Sequence, residues 1–146
     1  MAGREVLVDT SGLYALVDKK DASHVAARDV AAHLARQGRK LVVTDHIVSE
    51  TVTLAKARSG ARVALRVLDL IEQSVGVRVE WIDPARFDAT KTYFRKHADH
   101  DYSFADCASF VVMRELRLQQ ALTTDRHFRE AGFEPLLAVP SAAPPR

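Results

Sequence analysis

The sequence predicts an α/β domain built on a parallel sheet, and three observations carry that prediction. Short β-branched runs alternate with longer segments of helical period, the pattern of strands joined by helical crossovers. The first run, Val6-Leu7-Val8, is apolar at three successive positions, as expected of a strand covered on both faces. The chain has 146 residues, 47% of them hydrophobic, enough for one domain with a sizeable core and no staples.

Element by element, Glu5-Val-Leu-Val-Asp9 is the first strand, followed by a short helix over about 12–17 and a longer one over about 22–36. Gly38 ends the second helix, and Lys40-Leu-Val-Val-Thr44 is the next strand. Two helices follow, divided near Ser59-Gly60. The later of these repeats apolar residues at Ala64, Val67, Leu68 and Ile71 against a polar stripe of Arg62, Arg66, Asp69 and Gln73. Val77-Arg-Val-Glu-Trp-Ile82 alternates as a third strand, and Pro84 opens another helix. Residues 103–117 are helical and almost wholly apolar from Cys107 to Met113, which places that helix inside. Ala121-Leu-Thr123 is the fourth strand, and Pro135-Leu-Leu-Ala138 a fifth. Residues 1–138 therefore read as a single domain, and the Pro-rich residues 139–146 as a disordered tail.

Composition narrows the function classes. Lys and Arg number 21 against 19 Asp and Glu, so net charge dictates no partner. The single Cys107 excludes an intrachain disulfide framework. No stretch approaches the eighteen or so apolar residues of a membrane helix, and Asp9 interrupts the only apolar run near the start. A soluble, cytoplasmic protein is the expectation. Gly-x-Ser-x-Gly, Gly-x-Gly-x-x-Gly and Walker patterns are absent, so serine hydrolysis and nucleotide-fuelled chemistry have no support. The six histidines lack zinc-site spacing, and His127, beside Asp125, can approach substrate, although a helix-surface role is the simpler reading.

Four acids carry the chemistry. Asp9 ends the buried first strand, and Glu50 lies in the helix after the second. Asp106 opens the apolar helix, and Asp125 follows the fourth strand. Each has a plain structural explanation. Asp9 can cap a helix, Ser103-Phe-Ala-Asp106 has capping-box spacing, Asp125 can cap a short helix and pair with Arg129, and Glu50 can be solvated. Together they differ, because no Lys or Arg stands three or four residues from Asp106 or Glu50. Ionised carboxylates in apolar surroundings cost several kcal/mol unless paired, hydrogen-bonded or metal-bound. Residues past the carboxyl ends of parallel strands gather at one crevice. Converging acids without a local cation suit a hard divalent ion, Mg²⁺ or Mn²⁺, and such an ion serves phosphodiester hydrolysis.

At these positions the chain resembles the PIN-domain ribonucleases, and among them the VapC toxins of type II toxin–antitoxin pairs. The likeness is carried by residues 6–17, by Val48-Ser-Glu-Thr51, by Ser103-Phe-Ala-Asp-Cys-Ala-Ser-Phe-Val-Val-Met113 and by Ala121-Leu-Thr-Thr-Asp-Arg-His-Phe128. The resemblance implies a three-layer α/β/α fold with a central, mainly parallel sheet of four to five strands. It also implies a metal-dependent endoribonuclease with Asp9, Glu50, Asp106 and Asp125 as catalytic and metal-binding acids. Asp101 and Ser103 are possible accessory groups, although Asp101 reads equally as a solvated loop acid. Thr10 and Ser11 can hydrogen-bond to Asp9 or a phosphate, and capping explains them nearly as well. A homodimer and a VapB-like antitoxin covering the crevice are further implications.

Setting those four acids aside leaves 21 cationic residues against 15 acidic ones, a net-basic body around an acidic centre. Lys56, Arg58, Arg62 and Arg66 form a possible RNA-binding stripe that Ser59-Gly60 can interrupt, and a solvated helix face is the simpler account. Two alternatives stay open: a non-catalytic RNA-binding or regulatory module of the same fold, and a phosphoryl-accepting regulatory domain. The latter would want a lysine where Asp125 follows the fourth strand.

Overall fold

The computed structural model describes residues 4–140, so the tail expected over 139–146 falls almost entirely outside the described residues. Five strands form one sheet: β1 (Val6–Val8), β2 (Leu41–Thr44), β3 (Val77–Glu80), β4 (Gln120–Leu122) and β5 (Glu134–Pro135). Their order is β3-β2-β1-β4-β5, and every pairing is parallel. The helices are α1 (Thr10–Val17), α2 (His24–Arg36), α3 (Asp45–Ser59), α4 (Ala61–Gln73), α5 (Pro84–Lys96), α6 (Phe104–Leu116) and α7 (Arg126–Glu130). Helices α1–α4 pack among themselves, as do α5–α7, giving a three-layer α/β/α arrangement.

The central strands are apolar because helices cover both of their faces. Val6, Leu7, Val8, Val42 and Val43 are at most 1% exposed, and Phe110 and Met113 of α6 are fully buried with them. β3 differs, being half-buried throughout at the sheet edge, where Arg78 pairs with Glu5 and Glu80 and blunts that edge with charge. Strand order turns at β1: the chain builds outward to β3, then crosses back to place β4 on the other side. Ligand crevices of open α/β sheets lie at such a turning point, at the carboxyl ends of the two strands flanking it.

Two glycines shape this region. Gly60 has φ +90 and separates α3 from α4, where a side chain would be strained. Gly12 lets α1 press on β4, since a Cβ there would lie 1.9 Å from the carbonyl oxygen of Leu122. Some expectations need correction. β5 is only two residues long and precedes most of the expected 135–138 run. Leu68 of α4 is 36% exposed, so the buried stripe of that helix is narrower than its periodicity suggested.

Candidate active site

Asp9 is the first residue past β1 and caps α1. Its Oδ1 accepts the Gly12 amide at 2.9 Å and the Ser11 hydroxyl at 2.7 Å, while Oδ2 accepts the Thr123 hydroxyl at 2.7 Å. The capping explanation is therefore correct but incomplete, because Asp9 is also only 4% exposed and no Lys or Arg pairs with it among the described residues. Burial pushes its carboxyl up to about 7, against the hydrogen bonds from Thr123, Gly12 and Ser11, and the nearby Asp125 charge adds to the rise. Thr123 reaches Asp9 because β1 and β4 are paired with Val8 opposite Leu122, which sets the next two residues side by side.

Asp106 sits in the first turn of α6 within a full capping box. Ser103 Oγ accepts the Asp106 amide, and Asp106 Oδ2 accepts the Ser103 amide, each at 3.0 Å. Burial raises the Asp106 pKa, and the charge of Asp125 adds to that rise, opposed by the Ser103 amide and by His127. Asp125 caps α7 through its Oδ1, which accepts the His127 amide at 2.9 Å. Arg129, expected to pair with Asp125, does not; His127 Nδ1 lies 3.3 Å from Asp125 Oδ1 and 3.0 Å from Asp106 Oδ2. Among the described residues, Asp106 Oδ1 and Asp125 Oδ2 accept no protein hydrogen bond.

Glu50 is exposed, contrary to the apolar surroundings expected for it, and Thr10 of α1 donates to its Oε1 at 2.5 Å. Thr10 thus serves Glu50 rather than Asp9, whereas Ser11 does serve Asp9 and also accepts the Thr124 amide at 3.0 Å. The crevice of about 470 Å³ brings together Asp9, Thr10, Ser11, Glu50, Ser103, Asp106 and Asp125, with Asp101 and Arg58 at its margin. Asp101 is well exposed and 3.6 Å from Arg126, as the solvated-acid alternative anticipated. All four residues of the basic stripe are exposed. Arg58 ends α3 at the crevice, Arg66 of α4 lines a different cavity, and neither Lys56 nor Arg62 lines the crevice.

Thr123 escaped the sequence, and His127 takes the less favoured of its two readings. His127 occupies the crevice between two acids instead of the helix surface, and Thr123 is fully buried against Asp9. Cys107, by contrast, is the packing residue expected, buried and with its thiol pushed up to about 11 by that burial.

The donor set fits a hard divalent ion. Three carboxylates from three separate elements converge, two of them keep an oxygen free, and none has a permanent cation as partner among the described residues. Ligand-type atoms of Asp106, Asp125 and His127 all lie within 4.8 Å of one another.

The family model of the PIN domain matches residues 6–134. The chain belongs to the PIN-domain family. Over 128 residues it is 34% identical to the 23S rRNA-specific endonuclease VapC20 of Mycobacterium tuberculosis, spanning 88% of this chain and 95% of that one. The crystal structure of the same relative, a sarcin–ricin loop cleaving toxin, superposes with a TM-score of 0.81 at 30% identity, covering 91% and 99% of the two chains. FitAcB from Neisseria gonorrhoeae shares the fold, with a TM-score of 0.58 at 16% identity. The chain is thus a PIN-domain protein of the VapC type, similar to its relative over nearly its whole length.

Proposed function

We propose that this PIN-domain protein is the toxin of a VapBC-type pair, a Mg²⁺- or Mn²⁺-dependent endoribonuclease that hydrolyses RNA phosphodiester bonds. The observation that carries the proposal is the convergence of Asp9, Asp106 and Asp125 at the turning point of the sheet without a cationic partner. Those three residues, with Glu50 at the open side, would hold the ion. A bound divalent ion supplies positive charge to the scissile phosphate and acidity to a water.

The protein's own residues do the rest. Thr123 and Ser11 fix both oxygens of Asp9, so its carboxylate is oriented before any ligand arrives. The Ser103 amide does the same for Asp106. Thr10 holds Glu50 over the crevice, where its solvated carboxylate is placed to take a proton from an attacking water. Arg58 at the margin suits a flanking phosphate, as cations around an acidic centre do in nucleases. Attack by water on phosphorus, with the P–O3′ bond breaking and the 3′ oxygen leaving, gives a 5′-phosphate and a 3′-hydroxyl and needs no 2′-hydroxyl.

Similarity to a 23S rRNA-specific endonuclease supports ribosomal RNA as the substrate to test first. A homodimer is supported by an exposed ring cluster. Phe87 and Phe94 of α5 are 42% and 40% exposed and pack with Phe104, which also stacks on His46. The antitoxin expected to cover the crevice has a second surface available to it, an apolar groove of about 820 Å³ lined by Leu16, Ala31 and Leu70 and by Lys19, Arg39, Lys40 and Arg66, with no carboxylate in its lining. No helix among the described residues is long and apolar enough to cross a membrane.

The test is incubation of purified, antitoxin-free protein with ribosomes and total RNA, with Mg²⁺, Mn²⁺ or chelator. Discrete fragments carrying 5′-phosphates, lost with chelator, are expected. RNA binding without cleavage under every ion condition would instead favour the non-catalytic module.

A further inference from the structure

The geometry points to His127 as a nitrogen ligand of the ion in the acidic crevice, one that biases the site toward a transition ion such as Mn²⁺ over Mg²⁺. This rests on the proposal that the crevice holds a divalent ion, and it names which ion the chain's own residues favour. Three observations carry it. First, His127 Nδ1 lies 3.0 Å from Asp106 Oδ2 and 3.3 Å from Asp125 Oδ1. Neighbouring donors around an octahedral ion with bonds near 2.1 Å stand about 3 Å apart, so the imidazole nitrogen already occupies a ligand's distance from both carboxylates.

Second, the ring is held in place. Asp125 caps α7 by accepting the His127 amide, which ties the backbone of one to the side chain of the other. The buried Tyr102 meets the imidazole edge-on, with centroids 5.6 Å apart. Third, the side chain is 16% exposed and lines the same cavity as Asp9 and Glu50. Mg²⁺ favours an all-oxygen shell and dehydrates reluctantly, whereas a nitrogen donor raises affinity along the transition-metal series.

The test uses the full chain freed of ions and titrated calorimetrically with Mn²⁺ and with Mg²⁺. Wild type, His127→Ala and Asp106→Asn are compared, and pulsed electron paramagnetic resonance is recorded on the Mn²⁺ form. A ¹⁴N modulation from a directly bound histidine is expected in wild type and absent in both variants. His127→Ala should lose Mn²⁺ affinity by on the order of tenfold or more, as removal of even an outer-shell partner does, with a smaller loss for Mg²⁺. A wild-type Mn²⁺ form without that modulation overturns the assignment on its own, whether or not the variants fold. So does an unchanged ratio of Mn²⁺ to Mg²⁺ affinity in His127→Ala. Failure of wild type to bind either ion would instead defeat the metal-nuclease proposal itself, and the two failures are distinct.

Discussion

The two ends of the parallel sheet could hardly differ more. At the carboxyl ends of β1 and β4, polar residues begin at once: Asp9 after Val8, then Thr123, Thr124 and Asp125 after Leu122. At the amino ends of β2 and β3, Leu41, Gly76 and Val77 join Leu16 and Leu70 in an apolar groove whose charged residues are all cationic. Helix α1 borders both, giving Thr10, Ser11 and Tyr14 to the crevice and Leu16 and Val17 to the groove. The larger of the two cavities is the groove, yet no carboxylate lines it. Size and chemistry therefore separate: the carboxyl edge is suited to catalysis, and the amino edge to a partner with apolar and acidic residues.

The sharpest way to break this division is Asp106→Asn, which preserves shape and removes a ligand charge. It should lower RNA cleavage by about a hundredfold or more, read by single-turnover assay, while antitoxin affinity at the groove persists. Gly12→Ala comes next and strikes the shared helix. Its new Cβ would lie 1.9 Å from the Leu122 carbonyl, so α1 must lift from β4. A fall in melting temperature of about 10 °C or more is expected by calorimetry, with both surfaces disturbed together.

Asp9 yields a smaller, pH-dependent effect. Its folded-state pKa is raised from 3.8 to about 7, so the folded ion-free protein binds the proton more tightly than the unfolded chain. The stabilisation this gives is full below pH about 4, declines as pH rises, and is gone above about 7, a loss on the order of 4 kcal/mol. Ion-free Asp9→Asn should lack that decline and exceed wild type in stability at pH 8, measured by urea titration at several pH values. Its amide can donate to Thr123 Oγ1, whose proton can turn to Ser11 Oγ at 3.3 Å. Smallest is the contrast of two arginines. Arg58→Ala should weaken RNA binding and reduce the salt slope by about one. Arg66→Glu should leave cleavage within about twofold and weaken only the antitoxin.

Much of this was legible in the sequence because the main signals are local. Three consecutive apolar residues marked β1, and the acid ending it marked the crevice. Ser103 and Asp106 announced a helix start by spacing alone, and the capping that competed with a catalytic role proved to be how Asp106 is oriented. What stayed hidden depends on distant pairing. Thr123 meets Asp9 only through the β1–β4 register, which no local pattern fixes. His127 is the second residue of a five-residue helix too short to show a periodic face, so periodicity did not decide between its surface and crevice readings. The signal that existed was Asp125 as a cap, since the capped amide belongs to His127 itself. The groove was illegible because its lining comes from α1, α2, α4 and two strand starts. The turn at Gly60 falls within the basic stripe, between Arg58 and Arg62.

The central claim, that the carboxyl edge alone holds the ion, is tested most directly by soaking crystals of the protein with Mn²⁺ and locating the metal by anomalous scattering at its absorption edge. A peak bounded by Asp9, Asp106 and Asp125, and lost in Asp106→Asn crystals, is the expected result. A peak confined to other surfaces, or none at the crevice with Mn²⁺ in excess, would contradict it.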